Sequence, residues 1–141
     1  MAALTAFRQT KPREKTVAHG TFGWNELMTS DIEASKAFYK RVAEWTYQDM
    51  PMGDMGTYTL AFIAGNPVPV AGLMPWPADQ PGSNDWFAYI NVSNMDAAIE
   101  AAKGAGGTVA REKFMVEGTG WIAIVKDSTN TMIGFLEPAP M

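Results

Sequence analysis

Two stretches of this chain, residues 20–45 (GTFGWNELMTSDIEASKAFYKRVAEW) and 83–108 (SNDWFAYINVSNMDAAIEAAKGAGGT), share one layout about 63 positions apart. Each opens with an aromatic-rich run, Phe22-Gly23-Trp24 or Trp86-Phe87-Ala88-Tyr89. Each then places a Ser three residues before an acid, Ser30…Glu33 and Ser93…Asp96, the pattern of a helix start. An amphipathic stretch follows in both. A unit of strand, capped helix and further strands, used twice in 141 residues, leaves few possible folds. It also places a ligand between the copies.

The rest of the chain completes the unit. Residues 20–29 read as a strand in which Phe22, Trp24 and Glu26 share one face. The helix runs to about Val42, with Ile32, Ala37, Phe38 and Val42 as its apolar stripe. Residues 45–50, 57–64 and 69–74 read as strands, with Pro51–Gly56 and Gly65-Asn66-Pro67 as turns. Residues 75–84 (PWPADQPGSN) hold three prolines and are expected to be an irregular linker. In the second copy, 86–92 is a strand and 94–103 a helix ended by Gly104. Strands follow at 108–112, 120–126 and 131–137. Each copy is therefore βαβββ, and the expected fold class is α+β, with the helices outside curved sheets. The expected boundaries are an arm at 1–19, modules at 20–74 and 85–137, and an exposed tail at 138–141.

Composition excludes several functions. With 47% hydrophobic and 18% charged residues, a packed core is expected rather than disorder. No apolar run is long enough to span a bilayer, so no membrane role is expected. Residues 1–18 carry four basic side chains against Glu14, a net +3, which leaves −7 on the remainder. An acidic body argues against nucleic acid; the basic arm suits contact with a partner, and a homodimer is expected. The absence of Cys removes disulfides and thiolate chemistry and fits a cytoplasmic location.

With its paired modules, "TSDIEASKAFYKRVAEW" in the first and "INVSNMDAAIEAAKGAGG" in the second, the chain resembles the glyoxalase / bleomycin-resistance / extradiol-dioxygenase superfamily, the vicinal oxygen chelate proteins. The resemblance covers residues 20–137. It implies a cup holding a divalent metal on four inward side chains, one from the first and one from the last strand of each module. Carried onto this chain, those positions are Trp24, Gly72, Phe87 and Gly134. None of these side chains ligates a divalent metal. A one-residue slip adds only Asn25 as an oxygen donor, and the single His, His19, precedes the first strand. No metal site and no cofactor are therefore expected.

What remains is an aromatic cup. Phe22, Trp24, Tyr58, Met74, Phe87, Asn91, Trp121 and Phe135 are the expected ligand-lining residues. Glu26 and Tyr89 are the candidate acid/base pair, because burial beside aromatic walls raises a carboxyl pKa. Glu26 also suits a cationic ligand, or a salt bridge to Arg111 or the arm. Met50, Met52 and Met55 could form an adaptable lid or pack on another subunit. Three functions follow: a metal-free protein that binds an apolar or aromatic small molecule, as the bleomycin-resistance branch of the family does by sequestration; a metal-independent enzyme using Glu26 or Tyr89; or an interaction module with a filled cup.

Overall fold

A computed structural model describes residues 18–53, 56–76 and 84–140. The basic residues of the arm, Met55 and most of the proline-rich linker lie outside these residues. The first module contains β1 (Phe22–Thr29), α1 (Ile32–Ala43), β2 (Thr46–Pro51), β3 (Thr57–Phe62) and β4 (Ala71–Pro75). The second contains β5 (Asp85–Asn91), α2 (Met95–Gly104), β6 (Thr108–Val116), β7 (Gly120–Lys126) and β8 (Met132–Pro138). The strands join in a single eight-stranded sheet, ordered β2-β3-β4-β1-β5-β8-β7-β6. Each first strand runs parallel to the last strand of its own module. The two modules meet where β1 and β5 pair antiparallel, within one chain. This α+β architecture is the one expected from the repeat.

Both helices start one residue later than the Ser-based reading implies. Asp31 caps α1 by accepting from the Ala34 N–H, and Asn94 caps α2 by accepting from the Ala97 N–H. Ser30 and Ser93 stand outside the caps. A carboxylate or amide oxygen satisfies the free N–H groups of a first turn as well as a hydroxyl does, so two adjacent polar residues leave the choice to the backbone.

The helices cover one face of the sheet. Under α1, Leu27, Ala61, Ala71 and Leu73 form a core against which Ile32, Tyr39, Trp45 and Tyr47 pack. Ile32 and Tyr39 lie seven residues apart, so they share one stripe. The expected stripe through Phe38 and Val42 is the neighbouring one, and both side chains are more than half exposed. Tyr39 wins because it stacks on Trp45 and accepts the Trp86 indole N–H. Under α2, Val92, Met95, Ile99 and Ala123 form the second core.

Two expectations based on proline also shift. Pro75 closes β4 opposite Thr29, and Pro138 closes β8 opposite Gly120 rather than opening an exposed tail. Proline is compatible with the last position of a strand, where one missing N–H costs no interior ladder bond.

Candidate functional site

The face of the sheet away from the helices carries two rows of side chains. Residues paired across neighbouring strands point to the same side. One row runs Gln48, Leu60, Gly72, Glu26 and Phe87. The next runs Trp24, Tyr89, Gly134, Ile124 and Arg111. The rows are related by the internal repeat: Gln48 and Arg111, Trp24 and Phe87, and Glu26 and Tyr89 are each 63 positions apart. The site is thus the seam where the two copies of one sequence unit meet.

At its centre is a hydrogen-bonded chain of four side chains. The Trp24 indole N–H donates to the Tyr58 hydroxyl at 2.8 Å. Tyr58 donates to Glu26 Oε1 at 2.7 Å, and Tyr89 donates to Glu26 Oε2 at 3.1 Å. Phe87 meets the Tyr89 ring edge-on, with centroids 5.1 Å apart. Burial pushes the Glu26 carboxyl above its ordinary value, although both phenols favour its charged form. Burial, then the adjacent Glu26 charge, pushes both phenols up, so they stay protonated and act as donors. Among the described residues no salt bridge holds Glu26; its partners there are the two tyrosines, and Arg111 stacks instead on Phe114.

The glycines at the ends of the modules are required by this cluster. A Cβ on Gly72 would overlap the Tyr58 hydroxyl and the ring carbon that bears it, and a Cβ on Gly134 would clash with the edge of the Tyr89 ring and with Phe87. These are two of the four positions onto which the resemblance carries the family's metal ligands. The other two hold Trp24 and Phe87. In place of a ligand set the floor offers one carboxylate, each of whose oxygens already accepts a phenol. Among the described residues no three His, Cys, Asp or Glu side chains cluster to hold a metal. The residues present do not fit a resident divalent ion.

Of the expected lining residues, the sheet brings Trp24, Tyr58, Met74 and Phe87 to the same face as Glu26 and Tyr89. Three expectations need correction. Phe22 is 68% exposed, because a register shift between Phe22 and Trp24 pairs it with Ile90 and turns it off the row. Phe135 and Trp121 pack on the α2 core, on the opposite face. Gly134 takes the cup side of β8, so its neighbour Phe135 points to the helix. Asn91 lies on the cup side but is buried over Gly23 and donates to Thr21 Oγ1. It ties the start of β1 down rather than pointing a free amide inward. His19 accepts the Ser93 N–H at 3.0 Å, at the edge of the module. Gly72, Gly134 and Gln48 carry little chemical signal in sequence. The repeat offset of 63 finds Gln48 from Arg111.

The profile of the Glyoxalase/Bleomycin resistance protein/Dioxygenase superfamily matches residues 17–135. The chain belongs to this superfamily. It is 31% identical over 124 residues to CFP32 of Mycobacterium bovis, a protein named as a candidate glyoxylase, covering 87% of this chain and 48% of that protein. A glyoxylase-like domain-containing protein of Didymella fabae is 31% identical over 96 residues, 64% of this chain and 72% of that one. The chain spans about half the length of the CFP32 proteins it matches. Among solved structures, methylmalonyl-CoA epimerase of Mycobacterium tuberculosis superposes with a TM-score of 0.63 at 17% identity, over 89% of this chain and 94% of that one. A Streptomyces coelicolor methylmalonyl-CoA epimerase variant, solved with 2-nitronate-propionyl-CoA, superposes with a TM-score of 0.60 at 11% identity, over 87% of this chain and 100% of that one. At such identities the likeness shows the superfamily fold alone.

Proposed function

We propose that this superfamily member binds an apolar or aromatic small molecule in its cup, without a resident metal. The observation that carries the reading is the replacement of the metal-ligand positions by Trp24, Gly72, Phe87 and Gly134, with the Trp24–Tyr58–Glu26–Tyr89 chain across the same floor. Aromatic walls around a few fixed polar atoms suit an organic ligand. Trp24, Tyr58, Met74 and Phe87 supply apolar contact, and Glu26 with its phenols supplies fixed polar atoms against which an uncharged part of the ligand rests.

One observation favours a second reading, a metal-independent enzyme. Burial moves the Glu26 carboxyl toward neutrality, the direction a general acid or base requires, and Tyr89 touches it. In that case Glu26 exchanges the proton with the ligand, and Tyr58 and Tyr89 hold its carboxylate in place. The fold neighbours named as epimerases support an enzyme in the superfamily, not this reaction here.

We place the protein in the cytoplasm as a homodimer, a reading supported by the Cys-free composition and by the exposed Phe38 and Val42 on α1. Among the described residues no helix is long and apolar enough to cross a membrane. Light scattering at micromolar concentration tests the dimer, and a monomer counts against it.

The test of function is a thermal-shift screen of small molecules with divalent metals and chelator as separate arms. A bound ligand raises the melting temperature by mass action. Stabilisation by an apolar or aromatic compound, unchanged by chelator and lost in Trp24→Ala, supports the binding reading. Stabilisation by metal alone, reversed by chelator, overturns it. Turnover of a hit that stops in Glu26→Gln moves the conclusion to the enzyme.

A further inference from the structure

The cup has a charged end. Arg111 closes the row Trp24, Tyr89, Gly134, Ile124, Arg111 on the far strand of the second module. Its repeat counterpart, Gln48, closes the other row on the far strand of the first. The two copies therefore differ at this position by a full positive charge. Register shifts on either side of Arg111 bring it to the same face as Phe114. Its guanidinium carbon lies 3.8 Å from the centre of the Phe114 ring.

Stacking of this kind holds the guanidinium plane and leaves its N–H edge open. Among the described residues no carboxylate forms an ion pair with Arg111, and no oxygen accepts from it, although the body of the chain is acidic. Its charge nevertheless reaches the site, since it acts on the Tyr89 phenol. Three strand spacings of about 4.8 Å each separate β6 from β5, so a two-ring molecule spans from Arg111 to the floor.

Resting on the binding reading above, we infer that Arg111 is the anion-binding residue of the cup, and that the ligand is an organic anion whose carboxylate, sulfonate or phosphate meets Arg111 while its apolar body lies over Leu60, Ile124 and the tyrosines. A planar fork of N–H donors fits such an oxyanion in two-point contact. The same arrangement keeps the anion away from Glu26 and lays the neutral part of the ligand against the carboxyl and its phenols. Gln48, at the opposite rim, offers hydrogen bonds without charge, so the ligand binds in one orientation.

Two fluorescent probes with the same aromatic body separate charge from hydrophobicity: 8-anilinonaphthalene-1-sulfonate and its neutral analogue N-phenyl-1-naphthylamine. Occupancy of the cup is read from the Trp24 indole N–H resonance during each titration. The sulfonate is expected to bind about tenfold or more tighter than the neutral probe, the scale of one charge-assisted hydrogen-bonded contact. Arg111→Met, which keeps length and apolar contact, is expected to erase that difference and leave the neutral probe's affinity unchanged. Lys103→Met, a charge removal on α2 far from the cup, leaves the difference intact. If the neutral probe moves Trp24 and the sulfonate binds no tighter, or Arg111→Met preserves the preference, the anion assignment falls and the cup reading stands. If neither probe moves Trp24, both fall.

Discussion

Gly72→Ala is the smallest change that tests how the floor of the cup is built. The added methyl has no room: it would overlap the Tyr58 hydroxyl and the ring carbon that bears it. Tyr58 must then swing away from Gly72, and it holds the Trp24 N–H at 2.8 Å and Glu26 at 2.7 Å. Overpacking costs about 1–3 kcal/mol and each of the two lost hydrogen bonds about 1 kcal/mol, so the substitution is expected to cost about 3–5 kcal/mol. Urea unfolding followed by tryptophan fluorescence measures it. Gly104→Ala is the control, because a methyl there meets nothing within 4 Å and the residue ends a helix. It is expected to change stability by at most about 1 kcal/mol, in the favourable direction. The cause is isolated by repeating Gly72→Ala in a Tyr58→Ala background, where the ring is gone and the cost should drop below about 1 kcal/mol. A cost under about 0.5 kcal/mol in the natural background, or an equal cost in both, would refute the claim that Gly72 is glycine to admit Tyr58.

Burial raises the Glu26 carboxyl above its ordinary 4.5. The folded state then takes up this proton while the unfolded chain is still ionised, so the stability due to Glu26 grows as pH falls from the folded pKa toward 4.5 and is lost as pH rises. Carboxyl NMR should show Glu26 titrating above the exposed glutamates, and Glu26→Gln should flatten that part of the stability profile; a titration at or below 4.5 sinks the idea. Trp24→Ala removes a wall of the cup and the donor to Tyr58; we expect loss of ligand binding in calorimetry with at most about 3–5 kcal/mol of destabilisation, and retained binding would move the site elsewhere. Elemental analysis of purified protein should find no Zn, Fe, Mn or Ni near one per chain, and a stoichiometric, chelatable metal would overturn the reading of the floor. Asp31→Ala should cost about 1 kcal/mol by uncapping α1, while Ser30→Ala should cost little; the reverse order in thermal melts would return the cap to Ser30.

The repeat determined the architecture before any coordinates were needed. Two copies of strand, capped helix and strands, each too small to stand alone, must join, and they do so through one sheet while each keeps a core under its own helix. Alternation along β1 and β5 put Trp24 with Glu26 and Phe87 with Tyr89, because side-chain direction within a strand has period two. The metal-ligand positions could also be judged from sequence, since tryptophan, phenylalanine and glycine carry no donor whatever their geometry.

Pairing between strands was decided only in three dimensions. An inserted residue near Gly23 turns Phe22 out of phase with Trp24, and nothing local marks it, because a bulge is defined by the partner strand. Which face of β7 and β8 meets the cup depends on Gly134 standing opposite Tyr89, and this sends Phe135 and Trp121 to the helix side. The stripe of α1 that packs inward was settled by Trp45 and Trp86, which lie outside the helix and give Tyr39 a stack and a hydrogen bond. Likewise, Glu26 is polar in any reading. Its partners, Tyr58 and Tyr89, lie 32 and 63 residues away and reach it only because two glycines leave room for their rings. Periodicity is a property of one segment and can be read from that segment, whereas register, packing partner and free space belong to pairs of distant segments and exist only once the sheet has closed.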